Sequence, residues 1–99
     1  MITKPLKQII IDRREQILTT ATKYGATNLL VFGSVARGDE HDTSDLDLLV
    51  EFEVGRSLFD HAGLVAELEQ LVGRTVQLGT IKGLLPRYRD RILREAIPI

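Results

Sequence analysis

Residues 32–47 read FGSVARGDEHDTSDLD, with Gly33-Ser34 near the start and Asp45-Leu46-Asp47 at the end, ten residues apart. The flanks of this stretch decide the fold. Upstream, Leu29-Leu30-Val31-Phe32 is a short apolar run closed by Gly33, the pattern of a strand buried on both faces. Downstream, residues 45–53 alternate. Leu46, Leu48, Val50 and Phe52 fall on one side, and Asp45, Asp47, Leu49, Glu51 and Glu53 on the other, as in a strand with one face against a core. If the two strands are antiparallel neighbours, both ends of the stretch meet at one edge of a sheet. The residues between suffice for one helical turn, with Ser34 as its cap and Gly38 as its end, and a polar return loop over 39–44.

The rest of the chain supplies cover for that sheet. Leu6, Ile10, Ile17, Ala21 and Tyr24 lie on one face of a helix that Pro5 opens and Gly25 ends. After Gly55, Ser57 caps a helix whose apolar stripe is Leu58, Ala62, Val65, Leu68 and Val72, closed by Gly73. Thr75-Val76-Gln77-Leu78 is a third strand, ended by Gly79. A last helix over 84–96 buries Leu85, Tyr88, Ile92 and Ala96, and Pro98 stops it. The expectation is an α/β (α+β) fold: a small mixed sheet of about three strands packed with helices, forming one domain over 1–99.

Composition narrows the function. The chain has 99 residues, 43% of them hydrophobic and 27% charged, as in an ordinary soluble globular protein. The core is modest at this size, so a homo-oligomer or a partner is a reasonable source of extra stability. No cysteine is present, which excludes disulfides and thiolate metal sites and is compatible with the cytoplasm. The apolar run Ile9-Ile10-Ile11 is followed at once by Arg13, Arg14 and Glu15, so this end is expected to be neither a signal peptide nor a membrane span. A net charge of −1 argues against direct nucleic-acid binding, but it hides an asymmetry. Residues 39–53 hold seven acids and no base, whereas residues 82–99 hold five bases against Asp90 and Glu95. That division fits an acidic metal site and a basic surface, the latter either solvated or turned to an acidic partner.

The central stretch suits a nucleoside triphosphate and its metal. Gly33 lets backbone approach a phosphate, Ser34 offers a hydroxyl, and Arg37 can reach a phosphate oxygen. Asp45 and Asp47 project to one face because strand side chains alternate. Their carboxylates can share Mg2+, which takes oxygen ligands and completes its shell with water and phosphates; two ions would suit phosphoryl chemistry. A calcium loop counted from Asp42 fails, because its sixth position is Asp47 where glycine is needed. Neither a P-loop nor a dinucleotide fingerprint occurs. His41 reads as a solvent-exposed loop residue, and His61 as a surface or flanking one. Arg87, Arg91 and Arg94 form a stripe that is either solvated or in contact with a partner.

Gly33-Ser34, ten residues and Asp45-x-Asp47 resemble the signature of the polymerase-β-like nucleotidyltransferases. GSVARG and the ending LLPRYRDRILREAIPI resemble its minimal nucleotidyltransferase (MNT) subfamily, and the likeness covers nearly the whole chain. The resemblance implies an antitoxin that transfers AMP from ATP, with Mg2+, onto a tyrosine of a HEPN-domain ribonuclease toxin. It assigns Asp45 and Asp47 as metal-holding catalytic residues, and Gly33, Ser34 and Arg37 to the nucleotide. The pattern also has a third carboxylate, in a stretch like V-D-L, where this chain has Val76-Gln77-Leu78. Glu51 shares the face of Asp47 but lies roughly 13 Å along the strand, too far to supply the third carboxylate; Asp39 or Asp42, on the loop, could swing in. Three readings follow: a working protein adenylyltransferase, a catalytically impaired module that neutralises its partner by binding alone, and a nucleotide-site subunit serving a longer substrate-binding chain.

Overall fold

The computed structural model describes residues 4–41 and 44–99. Its sheet grows outward from the alternating stretch. β1 (Ala26–Phe32) and β2 (Leu46–Phe52) are antiparallel neighbours, as the shared sheet edge requires. β3 (Val76–Thr80) pairs parallel to β2, and β4 (Ile97–Pro98) pairs antiparallel to β1, giving the order β3-β2-β1-β4. Among the described residues the sheet thus has four strands, in keeping with the expected small mixed sheet of about three. The fourth is the segment after the last helix, where Ile97 and Pro98 sit opposite Val31 and Leu30. Pro98 cannot donate to a ladder and is tolerated because β4 is an edge.

Among the described residues five helices accompany the sheet: α1 (Leu6–Asp12), α2 (Arg14–Lys23), α3 (Gly33–Arg37), α4 (Leu58–Val72) and α5 (Pro86–Glu95). The expected single first helix is two, broken at Arg13, whose backbone (φ −113°, ψ 20°) leaves helical geometry while its N–H still bonds Ile9. Both pieces keep the expected inward residues, and Leu6, Ile10, Ile17 and Ala21 join Leu46, Leu48, Val50, Leu64, Leu68 and Val72 in the core. α1 has a cap from far along the chain: the carboxylate of Glu40 accepts from the N–H groups of Leu6 and Lys7, at 2.8 and 3.0 Å.

Other expectations shift. Ser34 is not a cap but the second residue of α3, with Phe32 in the cap position. α4 has the expected cap, completed as a box by Asp60, but its stripe is rotated: Leu64, Leu68 and Val72 are buried, Val65 is half-buried, and Leu58 and Ala62 face outward. β3 runs through Gly79 instead of ending there. On α5, Ile92 and Ala96 are half-buried, while Leu85 and Tyr88 are exposed, so Tyr88 is not a core residue. α5 ends at Glu95, before Pro98, because the chain must extend to pair with β1. Among the described residues, no helix is long and apolar enough to cross a membrane.

Candidate active site

β1 ends at Phe32, directly across from Asp47 on β2. The chain then turns through Gly33, at φ +75°, into α3. A side chain there would have to displace the Asp47 carboxylate: a Cβ on Gly33 would lie 2.3 Å from Oδ2 of Asp47. The glycine therefore serves two needs, a left-handed backbone and room for a carboxylate. Ser34 follows, half-buried, and Gly33 meets Asp47 where the antiparallel β1 and β2 bring the two ends of the stretch to one sheet edge.

Asp47 is half-buried and Asp45 is exposed at the start of the strand. Burial raises the pKa of Asp47 above the ordinary carboxylate value; the negative charge of Asp45 raises it further, and the positive charge of Arg37 opposes both. Two carboxylates that repel each other within one face form a donor set for a hard cation. Among the described residues no group of three or more acidic, histidine or cysteine side chains gathers for a metal. A two-carboxylate set still fits Mg2+, which keeps water and phosphate oxygens in its shell.

Arg37 ends α3, and its Nε donates to Asp39 at 3.3 Å while Nη1 lies 3.9 Å from Glu95 of α5. It is thus close enough to influence Asp47 but held by two surface acids. Gln77 stands beside Asp47 in the parallel register of β3 and β2, and its exposed side chain shares the face of Asp47. The alternative acids are occupied elsewhere: Asp39 with Arg37, and Glu51 as acceptor for the amide of Asn28 at 3.2 Å. Asp42 lies outside the described residues. His41 is exposed, as expected, and His61 is half-buried, stacked on Phe52 with ring centroids 5.8 Å apart. Arg87, Arg91 and Arg94 are exposed on α5.

Sequence reasoning missed Ser44 and Arg74. Ser44 is buried; its hydroxyl accepts from the N–H of His41 at 2.8 Å, and its own N–H donates to the His41 carbonyl at 2.9 Å. Arg74 reaches the same segment from beyond α4. Nothing in the local pattern marks either residue, because each acts through backbone groups that any sequence carries.

Comparison with known proteins gives a consistent picture. Residues 13–99 match the profile of the nucleotidyltransferase domain. The chain is 40% identical over 90 residues to MJ0435 of Methanocaldococcus jannaschii, a protein assigned as a protein adenylyltransferase, covering 91% of this chain and 97% of that one. It is 33% identical to the protein adenylyltransferase MntA of Thermococcus cleftensis, over 93% and 98% of the two chains. A solved structure of a protein assigned as a minimal nucleotidyltransferase superposes with a TM-score of 0.85 at 49% identity, over 94% of this chain and 95% of that one. A toxin–antitoxin structure solved with AMP-PNP superposes at TM-score 0.71 and 16% identity, covering 85% of this chain and 69% of that one, a likeness of fold.

Proposed function

This chain belongs to the nucleotidyltransferase domain family, among its minimal nucleotidyltransferases, and from that premise we propose that it transfers AMP from ATP onto a partner protein. The partner is a HEPN-type ribonuclease toxin, the acceptor is one of its tyrosines, and the modification silences it in the cytoplasm. The observation that supports this reading best is the approach of Asp47 to the bare α-carbon of Gly33. It puts a metal-holding carboxylate and an unobstructed backbone on the same spot, as a triphosphate bound through Mg2+ needs. The adenylyltransferase names of the relatives and the AMP-PNP of the toxin–antitoxin structure support AMP as the group moved and a toxin as the acceptor.

In this reading Gly33 and Ser34 receive the phosphates, and Arg37 exchanges its contacts with Asp39 and Glu95 for a phosphate oxygen. Asp45 and Asp47 hold Mg2+. When bound, Mg2+ neutralises the charge that develops on the phosphate oxygens. A bond forms between the tyrosine oxygen and the α-phosphorus, the bond from that phosphorus to pyrophosphate breaks, and the phenolic proton passes to water. Gln77 can hydrogen-bond the entering hydroxyl but cannot take its proton.

A second reading rests on Gln77 itself. A neutral amide beside Asp47 leaves two carboxylates where a third would strengthen the hold on metal, and a module of this fold can neutralise a toxin by binding alone. One experiment separates the two: the intact mass of the co-purified partner after incubation with Mg2+ and ATP. A gain of whole AMP units that is lost in Asp45→Asn/Asp47→Asn supports transfer. A stable complex with no gain supports neutralisation by binding and overturns transfer.

A further inference from the structure

We propose that Arg74 is the positioning residue for Asp45, fixing the backbone that carries its carboxylate before a cation arrives. The proposal rests on the reading of Asp45 and Asp47 as the metal-holding pair and adds the device that sets one of them.

Arg74 follows Gly73, the left-handed residue that ends α4, and precedes β3. Its Nη2 donates to the carbonyl of His41 at 3.0 Å and also to the carbonyl of Ser44. Both acceptors lie in the connection between α3 and β2, and Ser44 is the residue immediately before Asp45. The two carbonyls are brought together by the paired hydrogen bonds between Ser44 and His41. On the other side of Asp45, the N–H of Leu46 donates to the carbonyl of Thr75 at 2.8 Å. Residues 74 and 75 thus grip the backbone just before and just after Asp45.

The grip is anchored in turn. Glu69, in the last turn of α4, accepts from the N–H of Val76 at 2.9 Å, tying the 73–76 connection to the helix that packs Leu64 and Leu68 into the core. Glu69, Arg74, Thr75 and Asp45 line one open cleft. Asp45 itself is exposed and stands at the end of its strand, where the backbone would otherwise have wide freedom. A planar guanidinium can serve two carbonyls from one nitrogen while its stem stays packed, which a lysine ammonium reproduces less rigidly.

Charge and geometry make opposite predictions for Arg74. As a nearby cation it would repel Mg2+, so its removal would tighten metal binding. As a clamp it pre-sets a ligand, so its removal would loosen metal binding, by tenfold to a hundredfold if it acts as other supports of metal ligands do. The test is titration of the nucleotide-free protein with Mg2+ alone, followed by the backbone amide signals of residues 44–47. Amide hydrogen exchange at Ser44 and Leu46 is measured alongside. Arg74→Ala is expected to raise the Mg2+ midpoint at least tenfold and to speed exchange at these two amides while Val31 in β1 stays protected. Arg74→Lys is expected to fall between, and it serves if the alanine variant does not fold. An unchanged or lowered midpoint, or unchanged exchange at Ser44 and Leu46, overturns the proposal. A wild type with no response to Mg2+ overturns the metal reading itself, and exchange then decides the clamp separately.

Discussion

Oδ2 of Asp47 occupies the place where a side chain on Gly33 would begin, 2.3 Å from the position of its Cβ. Gly38, five residues on, has the same kind of backbone, φ +79° against +75°, but nothing within 4 Å of its missing Cβ. The pair separates strain from obstruction. Gly38→Ala meets only the left-handed penalty, about 1–2 kcal/mol, and is expected to leave nucleotide transfer intact. Gly33→Ala meets the same penalty and also displaces Asp47, so denaturant unfolding should show a larger loss, and transfer should fall at least tenfold at a temperature where the variant remains folded. Equal effects of the two substitutions on transfer would remove Gly33 from the site.

Asp47 also makes the fold sensitive to pH. Burial, then the charge of Asp45, raise its pKa in the folded chain. A raised carboxylate pKa means that the fold favours the protonated form. The stability this group contributes is therefore fully present below its unfolded value and is lost as pH rises through its folded value. Asp47→Asn, a neutral near-isostere, should melt higher than the wild type at pH 7, with the gap closing as the pH falls through the raised folded value and closed below the unfolded value of about 4. Mg2+ should have the reverse selectivity: it raises the Tm of the wild type, by roughly 2.7 kcal/mol of linkage at a hundredfold excess over Kd, and leaves the variant unmoved. Calorimetry at several pH values, with and without Mg2+, checks both signs.

Much of this site was legible because strand chemistry is local. The alternation from Leu46 to Phe52 sets Asp47 on one face, with Asp45 two residues before it at the mouth of the strand, and the apolar run ending at Gly33 sets the antiparallel partner. The misreadings are tertiary. α4 carries Leu58, Phe59, Leu64, Val65, Leu68, Leu71 and Val72, enough apolar residues for two overlapping stripes. Which stripe is buried depends on where the helix sits over the sheet, and the first turn, with Leu58 and Phe59, projects outward. β4 is only two residues long, too short to show a period, and exists because β1 has a second edge to pair. Glu40 and Arg74 act on backbone groups thirty or more residues away, a distance at which one sequence carries no pattern.

Gly63 shows the same dependence in the packing of α2 on α4. It lies inside α4, where alanine would ordinarily gain up to about 1 kcal/mol. A Cβ there would meet the ring of Tyr24 at 2.5 Å, so the ring must leave its place between the helices. Overpacking of this kind costs about 1–3 kcal/mol. Gly63→Ala is therefore expected to destabilise the wild type in urea unfolding, whereas the same change in a Tyr24→Ala background should stabilise. Stabilisation by Gly63→Ala in both backgrounds would show that the ring moves freely and that the contact does not constrain the helices.

Gln77 offers the sharpest test of how the site is limited. It is the register partner of Asp47 across β2 and β3, so Gln77→Asp sets a third carboxylate on the same face without moving the backbone. Without metal that carboxylate adds repulsion to a pair in which Asp47 is already driven toward protonation, and the Tm should fall at neutral pH. With Mg2+ the same charge becomes a ligand, and the loss should be recovered or exceeded. If the neutral amide is what limits transfer, the variant should adenylylate the partner at least tenfold faster than the wild type at saturating Mg2+ and ATP, while its affinity for the partner stays the same. If the variant gains Mg2+ affinity but no rate, holding metal is not the limiting step, and the wild-type glutamine is serving the entering hydroxyl as a hydrogen-bonding group.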